Sequence, residues 1–438
     1  MAARPSLHPP DPVIRPLPSP APPSALALLL ALLLLPLLPV LPGGTSTAEA
    51  QEYFPPSGEW ERRAPEALGL SGERLQEAID FAVAREPTAP RDLALAHLRG
   101  FGREPLGDAV GPFRDRGDPA GLVIRGGYVV AEWGDPDRVD VTFSVTKSFL
   151  ASTVGLAWDR GLIPDLTEPV ARRMAPVEVD RPECVAHGPP REGVAFPGLP
   201  APFEPFSTSH SERITWEHLL RQTSDWAGVL WCKPDWADRP DADADSWGTR
   251  ARHEPGTVYE YNDVRVNLLG LAALNVWRTP LPQVLREHLM DPIGASPTWR
   301  WTGYETSWIT LDGSRVQSMS GGAHWGGGMF ISALDMGRFG LLQLRDGRWN
   351  DRQILSREWM AETRSPGPAN PAYGFMNTFL NLDGEALPSA PTSAHFHAGA
   401  GANIVYVDPE HDLVVVVRWI QRPALDEFIG KVLAAVEP

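Results

Sequence analysis

Lysine is nearly missing from this chain. Its 438 residues include 39 basic ones, of which only Lys147, Lys233 and Lys431 are lysines. Arginine therefore carries the plain surface charge, and arginine cannot lose its proton to act as a base. Cysteine is equally scarce: Cys184 and Cys232 stand alone and in no metal-ligand spacing, which excludes a cysteine-based metal site. In an oxidising compartment the two either form one disulfide or remain separate thiols. Positive charge is in deficit, with a net charge of -16, and no Lys/Arg cluster offsets it. That excludes nucleic acid and anionic membrane as main partners. After residue 41 no long apolar run occurs, so the body of the chain has no span for a bilayer.

What remains is an ordinary globular composition, 43% hydrophobic and 21% charged, with length for one large domain or two small ones. The N-terminus stands apart. Arg4 and Arg15 precede an apolar run from Ala25 to Leu41, broken by Pro36 and Pro39 and followed by Ala48-Glu49-Ala50. Basic start, apolar middle and small-residue end read as a secretory signal over residues 1–50. The run is shorter than the roughly 20 residues of a membrane span, an uncleaved anchor being the alternative. Residues 51–438 are then an exported domain, periplasmic or extracellular.

Along that domain, Ser71 to Glu86 reads as an N-capped helix, and Leu122 to Trp133 as a β-hairpin turned at Gly126-Gly127. Phe143 to Arg160 reads as a helix closed by Gly161. A Pro- and Gly-rich irregular segment, Arg181 to Ser211, precedes helices near Thr215 and from about Val264 to Val276. Ser332-Ala333-Leu334-Asp335 has the form of a capping box. Strands at Ala402–Asp408 and Leu413–Trp419 precede a closing amphipathic helix. Strands at both ends and helices between them predict an α+β fold. Its antiparallel sheet would come from about 69–150 and 300–438, with a mostly helical insert over about 151–299.

Three motifs carry chemistry. In Phe143-Ser144-Val145-Thr146-Lys147-Ser148, Ser144 and Lys147 lie three apart on one helix face. A serine hydroxyl needs a neighbouring base, and a lysine serves once burial lowers its pKa. In Pro255-Gly256-Thr257-Val258-Tyr259-Glu260-Tyr261-Asn262-Asp263, a tyrosine near that lysine could move a proton, or both tyrosines are core aromatics. In His395-Phe396-His397-Ala398-Gly399-Ala400-Gly401, small residues admit a substrate to the strand backbone. There the Ala400 amide could donate to an oxyanion and His397 could polarise substrate or move a proton. His395 and His397 share a face, but no third ligand is suggested, so no metal is expected. The stretches Gln222–Trp226 and His324–Gly328 look site-lining. Trp226, Trp231 and Trp325 either wall a pocket or pack the insert.

In order and spacing, the three motifs together resemble the serine β-lactamase and DD-peptidase superfamily. The class C β-lactamase-like branch, with its esterases and 6-aminohexanoate-dimer hydrolases, is the nearest pattern. The resemblance runs from about Gly69 to the C-terminus. It implies a β-lactamase/transpeptidase-like fold, with the sheet flanked by N- and C-terminal helices. It also implies a small-molecule or peptide ester or amide as substrate, and no cofactor. By it, Ser144 forms the acyl-enzyme, Lys147 and Tyr261 handle its proton, and the amides of Ser144 and Ala400 hold the oxyanion. His397-Ala398-Gly399 occupies the place of Lys-Thr-Gly or His-x-Gly. Two departures stand out. Asp263 replaces an asparagine, which favours a charged Lys147 and shifts weight to Tyr261. His397 replaces a lysine, which removes the fixed charge that would grip a β-lactam carboxylate. The expectation is an esterase, amidase or peptidase rather than an efficient β-lactamase. A DD-peptidase and a non-catalytic binding or sensor protein on the same fold are the alternatives.

Overall fold

The computed structural model describes residues 52–187, 202–240 and 250–437. The secretory-signal reading and the middle of the Arg181–Ser211 segment lie outside the described residues. No helix among the described residues is long and apolar enough to cross a membrane.

The main sheet is antiparallel and draws on both ends of the described chain. Strands β1 (Ala120–Arg125) and β2 (Tyr128–Trp133) form the hairpin. Gly126 and Gly127 turn it at φ 59° and 87°, a pair of positive values that a two-residue turn needs and glycine adopts without strain. A short strand β3 (Asp140–Val141) leads into α2 below. From the other end come β7 (Phe379–Leu380), β8 (His395–Gly399), β9 (Asn403–Asp408) and β10 (Leu413–Arg418). The order across the sheet is β7-β8-β9-β10-β1-β2. Opposed residues such as Val405 and Val416 set the β9–β10 register.

Both faces of this sheet are covered, which is why β10 reads Leu413-Val414-Val415-Val416-Val417 without a polar break. On one face Val123, Ile404 and Val415 pack against α1 (Gly72–Val83) and α5 (Leu425–Ala434). On the other, Ile124, Val405 and Val414 meet α4 (Ala333–Leu344). There Gly337 and Gly340 let α4 approach: a Cβ at Gly340 would stand 2.8 Å from a Val405 methyl. The Ser71 cap forms, accepting from the Arg74 amide. The expected capping box at Ser332 forms only in half. Ser332 accepts from the Asp335 amide, but the buried Asp335 carboxylate accepts from the Ser296 amide and hydroxyl at 2.9 and 2.6 Å.

A second sheet joins β3, β6 (Gly328–Ile331), β4 (Arg300–Leu311) and the pair Glu178–Val179, with β5 (Ser314–Met319) beside β4. Two helices that pack on each other are buried on every side, α2 (Thr146–Asp159) and α3 (Asp263–Trp277). A helix apolar all round belongs inside a core, and α2 is buried from Thr146 to Ala157. The insert also holds short strands at Ala186–His187, Gly228–Leu230 and Lys233–Pro234, which sequence patterning did not reveal. Cys184 and Cys232 form a disulfide that ties two of them together.

Candidate active site

Ser144 lies in a single 3-10 turn, Phe143–Val145, from which α2 continues. Phe143 holds φ at 47°, a left-handed conformation that costs a side-chain-bearing residue about 1–3 kcal/mol and that clusters at functional sites. The turn half-exposes Ser144, while Lys147, one turn into the helix, is fully buried. Lys147 Nζ donates to Ser144 Oγ at 3.0 Å and to Asp263 Oδ1 at 2.6 Å. Burial pushes the Lys147 amine below its ordinary pKa, Asp263 pulls it up and Arg239 pushes it down again.

Asp263 reaches Lys147 because Asn262 caps α3, accepting from the Arg265 amide at 3.1 Å. The next residue then sits in the first turn, where the helix dipole favours a carboxylate. Asp263 thus points at Lys147, and a second cation meets it from the other side. Arg239 Nη1 lies 2.9 Å from Asp263 Oδ2. Burial alone would raise the Asp263 pKa, but Lys147 and Arg239 hold it well below the carboxylate range. Arg239 also pairs with Asp238, whose carboxylate accepts from the Asp263 amide. Lys147 therefore faces a carboxylate already shared with a guanidinium.

Tyr261 completes the cluster. Its ring lies under Lys147 Nζ at 4.6 Å and under Arg239 at 5.0 Å, centroid to cation. Burial and then Asp263 raise its phenol pKa; Arg239 and a hydrogen bond with Ser144 work against them. Tyr259 does not enter the cluster: its ring packs on Tyr373, 5.0 Å away. The structure thus brings Ser144, Lys147, Tyr261 and Asp263 together and adds Arg239.

The third motif supplies backbone rather than a charged side chain. Gly399 lies against the start of α2: a Cβ there would come within 3.2 Å of the Ser144 amide. Ala398 is buried in the opposite face of the sheet. Ala400 is half-exposed at the turn into β9, its carbonyl accepting from Asn403 Nδ2 at 2.7 Å. Strand β7 pairs only with His395 and Phe396, so among the described residues no strand pairs with β8 outside His397–Gly399. The expectation that His397 acts on substrate does not fit its placement. It is buried beneath the sheet, its Nδ1 2.9 Å from Ser148 Oγ and 3.3 Å from the Asn377 carbonyl. Burial lowers its pKa to about 4, so it carries no charge at neutral pH.

Of the two readings of the tryptophans, the packing one fits their placement. Trp226, Trp231 and Trp325 are all fully buried packing residues. Trp226 donates its indole N–H to the Pro205 carbonyl at 2.7 Å, and Trp325 lies under Lys233 at 5.2 Å. The Gln222–Trp226 stretch works indirectly. Gln222 accepts from the Asn262 amide at 2.8 Å and donates to the Tyr373 hydroxyl at 2.7 Å, which fixes the loop carrying Tyr261.

Two site residues escaped the sequence reading. Arg239 belongs to no motif. Gly322 lies just before the His324–Gly328 stretch, and any Cβ on it would collide with Asp263 Oδ1 and Lys147 Nζ. Gly322→Ala is accordingly expected to separate that pair and lower kcat/KM about 100-fold, the scale of an ångström misplacement in a site. A thermal melt close to wild type would show that the fold persists; unchanged kcat/KM would refute the contact. Glu104, Asp238 and His324 could each offer a metal-ligand atom. Arg239 already stands as the cation there, and the His324 nitrogens face apart, Nε2 to Glu104 at 2.7 Å and Nδ1 to Asp238 at 3.5 Å.

The family model described as Beta-lactamase matches residues 109–428. Among solved structures, a beta-lactamase candidate from Bacteroides dorei DSM 17855 is similar at TM-score 0.50 and 16% identity, over 72% of this chain and 93% of that one. EstCE1, a hydrolase with promiscuous acyltransferase activity, aligns at TM-score 0.49 and 15% identity, over 84% and 99%. A penicillin-binding protein homolog from Caulobacter crescentus aligns at TM-score 0.49 and 14% identity, again over 84% and 99%. No curated protein matches significantly.

Proposed function

The chain belongs to the Beta-lactamase family, within the serine β-lactamase/DD-peptidase superfamily of serine hydrolases, and from that premise we propose that it is an exported esterase or amidase of the class C-like branch, working through a Ser144 acyl-enzyme. The observation that carries this reading is the 3.0 Å contact between Lys147 Nζ and Ser144 Oγ in a fully buried lysine.

In this mechanism Ser144 Oγ attacks the substrate carbonyl carbon while its proton passes to Lys147 and Tyr261. The carbonyl oxygen becomes an oxyanion held by the amides of Ser144 and Ala400, donors that need no reorganisation. Collapse expels the alcohol or amine, which takes the proton back. Water then attacks the acyl-enzyme by the same proton route, releasing the acid and restoring Ser144. The neutral, buried His397 offers no cation to a β-lactam carboxylate, which favours esters and amides over efficient β-lactam hydrolysis.

A fluorophosphonate probe tests this. Incubation with the full chain is expected to add one probe mass, and digestion to place it on the peptide carrying Ser144. An adduct elsewhere, or none alongside intact fold, removes the assignment.

A further inference from the structure

A cavity of about 400 Å³ is walled in part by Phe143, the residue before Ser144, and by the Ala400–Gly401 turn. That volume falls within the roughly 300–1,000 Å³ of small-molecule sites. Its walls are Leu93, Phe101, Phe113, Phe143, Ala400 and Trp419, four of them aromatic. Half of the wall, from Pro87 to Phe101, precedes the stretch shared with the family. The chain that follows this segment, from Glu104 to Val110, is tied to the body of the domain. Lys233 Nζ donates to the Asp108 carbonyl at 2.6 Å, the Val110 amide donates to the Trp325 carbonyl at 3.0 Å, and Glu104 meets His324.

The polar groups in the wall are already engaged. The Arg116 guanidinium donates to Glu86 at 2.7 Å and to the carbonyls of Pro87, Ala89 and Gly117. It also stacks over Trp419, 5.3 Å from the ring centroid. His97 bonds to the Gly107 carbonyl at 2.7 Å, and the Trp419 indole donates to Asp140 at 3.1 Å. The arginine and histidine of the wall are thus engaged within the protein, and most of the remaining lining is apolar or aromatic.

We propose that this cavity is the specificity subsite of the enzyme and takes an uncharged alkyl or aryl group of the ester or amide substrate. The assignment rests on Ser144 being the nucleophile, because Phe143 and Ala400 join the cavity to the reacting centre. Each methylene buried there is expected to raise kcat/KM up to about fourfold.

Ala96→Trp fills the cavity from its wall, and Ala89→Trp, at an exposed rim position, does so without touching the core. Two ester series, p-nitrophenyl acetate to octanoate and alkyl acetates from ethyl to octyl, separate the acyl from the alcohol side. In the wild type, kcat/KM is expected to rise at least about tenfold along one series. Either variant should abolish that rise. A second readout is independent of turnover. The uncharged dye N-phenyl-1-naphthylamine should bind wild type and Ser144→Ala equally, and both tryptophan variants about tenfold more weakly. Equal dye binding by folded variants, or an undiminished chain-length preference, overturns the subsite. Loss of all ester hydrolysis with dye binding intact would instead remove the catalytic reading and leave the apolar site standing.

Discussion

Ser144→Ala is expected to lower kcat/KM on p-nitrophenyl butyrate by about 10⁴-fold or more, and adding Lys147→Ala to cost almost nothing further. Groups that act as one unit in proton transfer and attack fail together, so their removals do not add. Here the unit is defined by geometry. Lys147 Nζ stands 3.0 Å from Ser144 Oγ, and the Tyr261 ring lies against the same amine, 4.6 Å from centroid to Nζ. Lys147→Ala alone should cost about 10²- to 10⁴-fold, the usual worth of a positioned acid or base. Circular dichroism on each variant separates lost chemistry from lost fold, since Lys147→Ala empties a buried position and leaves Asp263 to Arg239 alone. If the double variant lost the product of the two single losses, the residues would be acting independently and the shared proton route would be wrong.

The parts of this molecule visible in its sequence are those whose physics is local. Two glycines in a row announce the β1–β2 turn because both central positions need positive φ. Ser71, Thr215 and Ser332 mark helix starts because a cap is satisfied within three residues. Ser144 and Lys147 share a face by helical spacing alone. Asp263 was visible as a departure, but its direction was not, because that depends on Asn262 capping α3 and on Arg239 arriving from a different loop. Nothing in the composition around Asp238-Arg239 distinguishes it from a solvated charge pair. Gly322 was equally silent: the need for a missing Cβ arises only once Asp263 and Lys147 are placed against it. The tryptophans stayed undecided for the opposite reason. Large aromatics wall pockets and fill cores alike, and only the packing of the insert against Thr306 and Pro205 decides between the two here.

Asp263 and Arg239 should move the pH profile in opposite directions. The groups facing Lys147 are Asp263, Arg239, Tyr261 and Tyr373. Attack requires the proton acceptor to be empty in the free enzyme, so the acid limb of kcat/KM follows its pKa. Asp263 raises the pKa of both Lys147 and Tyr261, and Arg239 lowers both. Asp263→Asn, which restores the residue type of the resembled motif, should therefore shift the acid limb to lower pH. Arg239→Gln should shift it to higher pH. An opposite charge at this range is worth about one unit or more, and the sign holds whichever of the two groups accepts the proton. A binding protein with damaged chemistry would show no such pair of shifts, because it has no limb to move. Limbs moving the same way, in variants whose melts match the wild type, would mean that the carboxylate and the guanidinium do not set the acceptor. In that case the enzyme would not be using Arg239 to tolerate an aspartate beside its lysine.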